Sequence, residues 1–399
     1  MRKERGHRGQ NATRVVTMRL LTALAVSIAS ATLLTTCAGA GSIPSSSKAP
    51  SGGLVCTNET EMAKWPNSRL AMMTIAVPVE ETSTGDVTTE ISDGAGGILL
   101  FGATAPANLG SDLASLKARV PGNLGLLVMT DEEGGEIQRM ANLVGSLPWA
   151  SWMGHYWTAA HIRSAVAAVG KKMAAANVNM DLAPVVDVDG TNAPPSATDP
   201  DGWRSFSGHT PVVVQDGLAF MNGLLSSHVI PVLKHFPGLG GASGNTDDGP
   251  AHTLPWSELQ KVALPPFTKA IKDGAPAIMV SNATVPGLAS YPASLSPAAI
   301  GRELETTLGF HGLVLTDSLS ADAISAAGFT LPQAAAQALI AGADMVLFGP
   351  TTSSSATATD TSHMQAAIVE AVAHGHLPRA RLISAAAAVL GARHVKLCH

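Results

Sequence analysis

The chain has 399 residues, 46% of them hydrophobic and 14% charged, with a formal net charge of -5. That is enough apolar material for one large core and too few cations for a surface that seeks nucleic-acid phosphates. Aromatic residues make up only 4%, so the interior must be packed from Val, Leu, Ile, Met and Ala across closely spaced elements, which suits an α/β fold.

In chain order, Arg2, Lys3, Arg5, Arg8, Arg14 and Arg19 precede an apolar run from Leu20 to Leu34. The run is too short, and too soon followed by polar sequence, for a membrane span; it reads as an export signal. Met18 is an alternative start directly ahead of it. Cys37 follows Leu34-Thr35-Thr36 in the manner of a bacterial lipobox, although Thr directly before the cysteine is unusual there. Residues 1–37 are therefore read as a signal peptide with Cys37 as the candidate lipidation site, plain cleavage being the alternative. Residues 38–55, rich in Ser, Gly and Pro, read as a flexible tether. Cys56 and Cys398 stand at the two ends of what remains. In an exported protein such a pair is expected to be bonded, tying together the ends of a single domain over 56–399. Neither cysteine has the CxxC partner that a zinc site would need.

From about Leu70, short apolar runs alternate with Ala-rich helical patterns. The runs Ala71–Val77, Gly97–Phe101, Leu124–Thr130, Val178–Pro184, Ile230–His235, Ala277–Ser281, Gly312–Thr316 and Ala343–Phe348 are mostly unalternated, as strands buried on both faces should be. Helices are expected over His161–Ala176, Pro211–Ser227, Ser257–Asp273, Ser296–Leu308 and Leu331–Ala341, with Met364–Ala373 and Ala380–Leu390 closing the chain. Eight strands with intervening helices predict a (β/α)₈ TIM-type barrel in one domain, with a doubly wound open sheet as the alternative.

Polar and titratable residues gather where these strands stop. Asp131 to Gly135 follows one, Asp181 and Asp187 flank the end of another, Lys234-His235 ends a third, and Ser281-Asn282 and Thr316-Asp317 end two more. Core packing accounts for any one of these clusters and poorly for all of them. Gly238-Leu239-Gly240-Gly241 lacks the spacing of a dinucleotide fingerprint, and Gly-Lys-Ser/Thr is missing. Asp317, at the end of the run Gly312–Thr316, is the best single clue; its bland alternative is a cap on the following helix.

These pieces together carry a resemblance. Asp131-Glu132-Glu133-Gly134-Gly135-Glu136-Ile137-Gln138-Arg139, Arg204-Ser205-Phe206, Lys234-His235-Phe236-Pro237-Gly238, Met279-Val280-Ser281-Asn282 and Thr316-Asp317-Ser318-Leu319 occur in an order that resembles glycoside hydrolase family 3, in particular its single-barrel bacterial β-N-acetylhexosaminidase branch. The resemblance implies that Asp317 is the nucleophile of a retaining glycosidase. An ionised carboxylate beneath the anomeric carbon stabilises an oxocarbenium-like transition state and then bonds to it. It also implies that Asp131, Arg139, Arg204, Lys234 and His235 hold the sugar, the carboxylate accepting from hydroxyls and the cations donating to them. A surface ion-pair network is the bland reading for Arg139 and Arg204. Glu133, beside Gly134-Gly135, reads as a buried structural partner.

The acid/base is where the chain departs from the family. The hexosaminidase branch presents an Asp-Ser/Thr-His triplet after Lys-His-Phe-Pro-Gly, but here the loop runs from Leu239 to His252, and Gly249 falls where the histidine would be if Asp247 matches the aspartate. Either His252 swings in from a mobile Gly-rich loop, or Asp247 or Asp248 protonates the leaving group directly, with its pKa raised by a dry site. The expected protein is thus an exported, membrane-tethered exo-β-N-acetylglucosaminidase acting on cell-wall fragments. It is expected to use no cofactor or metal, bind no nucleic acid, touch the membrane only through a lipid anchor, and act as a monomer. A β-glucosidase, β-xylosidase or glycoside phosphorylase of the same family is one alternative, and a non-catalytic sugar-binding envelope lipoprotein another.

Overall fold

The computed structural model describes residues 56–398. The signal segment 1–37, Cys37 and the tether 38–55 lie outside the described residues.

Ten strands occur in chain order: β1 Ile75–Glu80, β2 Gly97–Phe101, β3 Leu127–Thr130, β4 Glu132–Gly134, β5 Ile137–Gln138, β6 Met180–Asp181, β7 Ile230–Phe236, β8 Ala277–Val280, β9 Leu313–Thr316 and β10 Val346–Leu347. Eight of them form one sheet in the order β10-β1-β2-β3-β6-β7-β8-β9, every neighbouring pair parallel. The sheet closes on itself through a parallel bridge between Leu315 and Met345 and the bonds Thr316 N–H to Met345 and Leu319 N–H to Leu347. The result is a TIM-type barrel, and the open doubly wound sheet is excluded. Residues of β3, β8 and β9 are buried throughout, which explains their unalternated apolar sequence.

Two expectations need correction. The run Ala71–Val77 begins inside a helix, Asn67–Met73, and β1 starts only at Ile75. Leu70 to Met73 are all buried, so an enclosed helix end is as continuously apolar as a strand, and periodicity cannot separate them. Ser257–Asp273 is two helices, Trp256–Val262 and Leu264–Lys272, broken where Pro265-Pro266 removes backbone donors. The other expected helices are present, that over Ser296–Leu308 as a wide π-type helix, Ala298–Thr307.

At the barrel's N-terminal face, Cys56 and Cys398 are joined by a disulfide with Cα atoms 5.8 Å apart. Asn58 ties the same ends by donating to the Val395 carbonyl at 2.8 Å and accepting from the Leu397 N–H at 2.9 Å. Arg393 reaches the carbonyls of Leu124, Gly125, Ala95 and Gly96, just ahead of β3 and β2. Because all eight barrel strands run the same way, their C-terminal ends share the opposite rim, and the loops there build the site.

Candidate active site

Between β3 and β6 the chain makes the β4–β5 hairpin, turned by Gly134 and Gly135 at φ of 114° and 62°. The left-handed turn favours glycine and places two carboxylates from one short segment at the rim. Asp131 accepts from Lys234 Nζ at 2.8 Å and lies 3.7 Å from Arg139. Glu133 takes the same ammonium at 2.7 Å and a two-pronged bond from Arg204, both distances 2.9 Å. Burial by itself would raise the Glu133 carboxyl, but the Arg204 guanidinium and Lys234 ammonium override it and hold the group well below the usual range. Burial likewise opposes the charge on Lys234, and the carboxylates of Asp131 and Glu133 more than restore it, raising its pKa. The two cations and two anions thus form one compact, mutually compensating network.

His235 follows Lys234 across a cis peptide bond, with cis peptides also at Ala183-Pro184 and Phe236-Pro237. Its Nδ1 is 2.7 Å from Asp187 Oδ2, and Asp187 also accepts from the backbone N–H groups of His235 and Leu239. With Asp187 as acceptor, Nδ1 carries the hydrogen and Nε2 is left for the pocket. Asp187, Asp201 and His235 are the one group among the described residues whose donor atoms lie close enough, within 4.8 Å, to hold a metal ion. Asp187 is already committed to three hydrogen bonds, so the group first of all orients His235. Asp201 is fully buried, and neither carboxylate oxygen has a hydrogen-bond partner among the described residues. Burial, with the Asp187 carboxylate beside it, pushes its acid far above the carboxylate range.

Asp317 stands one residue past β9. Its N–H donates to the Val280 carbonyl at 2.9 Å, continuing the β8–β9 ladder, and its Oδ1 accepts from the Ser318 N–H at 2.7 Å. The next helix is Asp322–Ala326 with Ala321 at its N-cap, so Asp317 is not that helix's cap. Asn282, after β8, donates to the Ser318 carbonyl at 2.7 Å and accepts from Ser294 Oγ at 2.6 Å, pinning the turn behind Asp317.

The loop after β7 is tied down at several points. Asn245 N–H donates to the Ala197 carbonyl, and the backbone carbonyls of Thr246 and Asp247 accept from Ala323 and Asp322. Asp247 faces the site, and burial followed by the Asp317 carboxylate raises its pKa to about 6, against the lowering pull of His235 and Arg204. The residue is exposed at the pocket mouth, so water screens part of this effect until a ligand covers it. His252 is elsewhere: its backbone bridges to Thr284, its N–H bonds to Ser243 Oγ at 2.9 Å, its Nδ1 lies 3.1 Å from the Thr253 carbonyl, and its side chain is exposed.

One rim pocket of about 830 Å³ is lined by Asp131, Arg139, Arg204, Lys234, His235, Asp247 and Asp317, with Glu133 beneath and Phe101, Leu182 and Met279 as apolar wall. Seven of the expected residues meet there, while His252 and Asp248 are not among those lining it. Sequence reasoning gave Asp187 no role and overlooked Asp201. The signal for Asp187 was a carboxylate just beyond an apolar strand, whereas Asp201 lies in a Pro-rich loop with no pattern around it. Mixed charges, hydroxyl-sized spacing and a partly apolar wall suit a neutral, many-hydroxyl ligand held between two carboxylates.

Residues 75–392 match the glycosyl hydrolase family 3 N terminal domain. The chain is 36% identical over 260 residues to beta-hexosaminidase LpqI of Mycobacterium tuberculosis, a stretch covering 63% of this chain and 66% of that protein, just under two thirds of the relative. Among solved structures it is similar to M. tuberculosis LpqI, with a TM-score of 0.74 and 30% identity over 85% of this chain and 96% of that one. It is also similar to the beta-N-acetylhexosaminidase of Beutenbergia cavernae, with a TM-score of 0.73 and 28% identity over 84% of this chain and 100% of that one. The family match takes in the whole barrel and every strand that feeds the pocket, and the chain belongs to glycosyl hydrolase family 3.

Proposed function

We propose that this family 3 hydrolase is an exported, retaining exo-β-N-acetylglucosaminidase that removes terminal N-acetylglucosamine from cell-wall fragments, with Asp317 as nucleophile and Asp247 as its own acid/base. The observation that carries the reading is the pairing of these two carboxylates on one pocket, one of them pushed up to about 6 by burial and by the charge of the other. A carboxyl whose proton affinity is raised by burial and by a second carboxylate beside it suits the role of acid. The relatives named as hexosaminidases support the sugar, and the amino-terminal signal pattern supports export.

In the first step Asp317 attacks the anomeric carbon, the bond to the leaving oxygen breaks, and protonated Asp247 gives that oxygen its proton. In the second, ionised Asp247 takes a proton from water as the water attacks the same carbon and releases Asp317, giving retention. Asp131, Lys234, Arg204 and His235 hold the hydroxyls and restrain the ring. Asp247 takes the place of the missing histidine because it lines the pocket, where Asp248 and His252 do not, and because burial raises its pKa.

A 5-fluoro N-acetylglucosaminide decides the point. We expect a stable adduct on Asp317, detected by peptide mass spectrometry, absent in Asp317→Asn, and β-configured product by NMR. Failure to label any carboxylate, with inverted product, refutes the double-displacement scheme. Equal turnover of the aryl glucoside refutes the choice of sugar.

A further inference from the structure

The mechanism leaves unused an aromatic cluster beside the pocket. Helix Ala150–Tyr156 carries Trp152 and Tyr156, 45% and 64% exposed, the two large hydrophobic side chains left open to water among the described residues. A spacing of four sets them on one helix face, with ring centroids 4.9 Å apart, while Met153 buries on the other side. Trp157 packs edge-on against Trp152 at 5.7 Å. Nearby, Trp149 and Trp203 lie 6.1 Å apart, and the Trp203 indole N–H donates to Asn192 at 3.0 Å. Four of the six tryptophans in a chain with few aromatics therefore gather here, and three of them, Trp149, Trp152 and Trp203, line a depression of about 800 Å³. Leaving an aromatic ring in water forgoes the gain of burying it, so two adjoining exposed rings mark a surface that something covers.

Where the cluster sits indicates what: it packs on the segments that carry Glu133 and Arg204 to the rim pocket. Trp203 directly precedes Arg204, which lines that pocket. Trp149 lies flat on Gly135, where a Cβ would overlap the indole, two residues from Glu133. Gly154, in the middle of the aromatic helix, touches the Phe206 carbonyl so closely that it too leaves no room for a Cβ. The platform is thus seated on the two segments that supply Glu133 and Arg204. Among the described residues no Lys, Arg, Asp or Glu lines the depression; besides the aromatic residues it is lined by Ser151, His155 and Asn192. That disfavours a phosphate or an ionic partner. A pyranose fits: its outward C–H bonds meet the negative face of an aromatic ring, and its equatorial hydroxyls reach polar groups at the edge.

We infer that this face binds the sugar rings on the leaving-group side of the substrate, so that the enzyme favours a β-linked N-acetylated oligosaccharide over a short glycoside. The inference rests on the glycosidase reading above and extends it to the substrate's length.

The test compares the full chain with its Trp152→Ala/Tyr156→Ala form on an aryl β-N-acetylglucosaminide and on the β-1,4-linked N-acetylglucosamine tetrasaccharide. We expect kcat/KM for the aryl glycoside to stay within about twofold, and that for the tetrasaccharide to fall ~10-fold through KM, with partial recovery in Trp152→Phe/Tyr156→Phe. Equal change on both substrates overturns the inference. Calorimetric binding of the tetrasaccharide to Asp317→Asn, with and without the double substitution, separates the two proposals. Weaker binding after the double substitution upholds the platform even if the wild type cleaves no aryl glycoside, in which case the glycosidase reading alone fails. Unchanged binding overturns the platform. So does a wild-type dimer that the double substitution turns into a monomer without altering tetrasaccharide kinetics, since the face would then join two copies of the chain.

Discussion

The pocket floor and the loop after β7 are built on opposite principles. On the floor, Asp131, Glu133 and Lys234 come from strand ends and a hairpin and Arg204 from the short turn Gly202–Arg204; all are buried or nearly so and lock one another through bonds of 2.7 to 2.9 Å. Each side chain has its charge and rotamer set by the others. The loop bearing Asp247 is anchored through its backbone, while its carboxylate is left at the mouth with no salt bridge among the described residues. Rigid charge suits holding a sugar in place, and an unpaired, partly dry carboxyl suits moving a proton, since a salt bridge would hold it ionised.

The comparison breaks most visibly at Asp247. Asp247→Ala should lower kcat on substrates with poor leaving groups by ~10²–10⁴ and much less on activated aryl glycosides, with azide restoring the activated reaction. In the wild type, kcat/KM should fall as pH rises through about 6, because the acid must be protonated to act, and that limb should vanish in the variant. An unchanged pH profile in Asp247→Ala would remove it as the acid.

Glu133→Gln probes the floor. It leaves Arg204 and part of the Lys234 charge uncompensated, and should cost about 3–5 kcal/mol of stability in thermal or denaturant unfolding. Because the carboxyl's folded pKa is held below its ordinary value of 4.5, the wild type's advantage is full above that value and is lost as pH falls through the lower folded one. An advantage that persisted at low pH would contradict the ion-pair account.

A smaller effect is expected far from both regions. Cys56→Ser/Cys398→Ser opens a link between residues 342 apart in sequence and should cost about 2–5 kcal/mol of stability while leaving kcat at 25 °C unaltered. A loss of activity without loss of stability would mean that the termini communicate with the rim. The smallest effect is expected at His252, whose exposed ring bonds only to a neighbouring carbonyl. His252→Ala should change both stability and kcat by less than about 0.5 kcal/mol, and a larger fall in kcat would return the histidine to the mechanism.

Much of the barrel was legible in the residues because buried parallel strands are written as continuous apolar runs. The runs ending in Thr130, His235 and Thr316 all overlap real strands, and the polar residues after them share a rim because parallel strands end on the same side. Where the pattern is ambiguous the reading slipped, as at Leu70 to Met73, since a helix end enclosed on all sides is as apolar as a strand.

From sequence alone came the eight barrel strands in chain order, the rim residues Asp131, Lys234, His235 and Asp317, and the absence of a histidine where the family has one, but not the β4–β5 hairpin. Tertiary structure decided which loop residue faces Asp317, that Glu133 joins Lys234 to Arg204 across 71 residues of chain, that Asp187 orients His235, and that tryptophans from two separate segments form one platform. Periodicity is a local property, and it dictates elements and which way a strand's end points. The direction of a loop side chain and the proton affinity of a carboxyl depend on distant groups brought close, and no spacing in the chain records those.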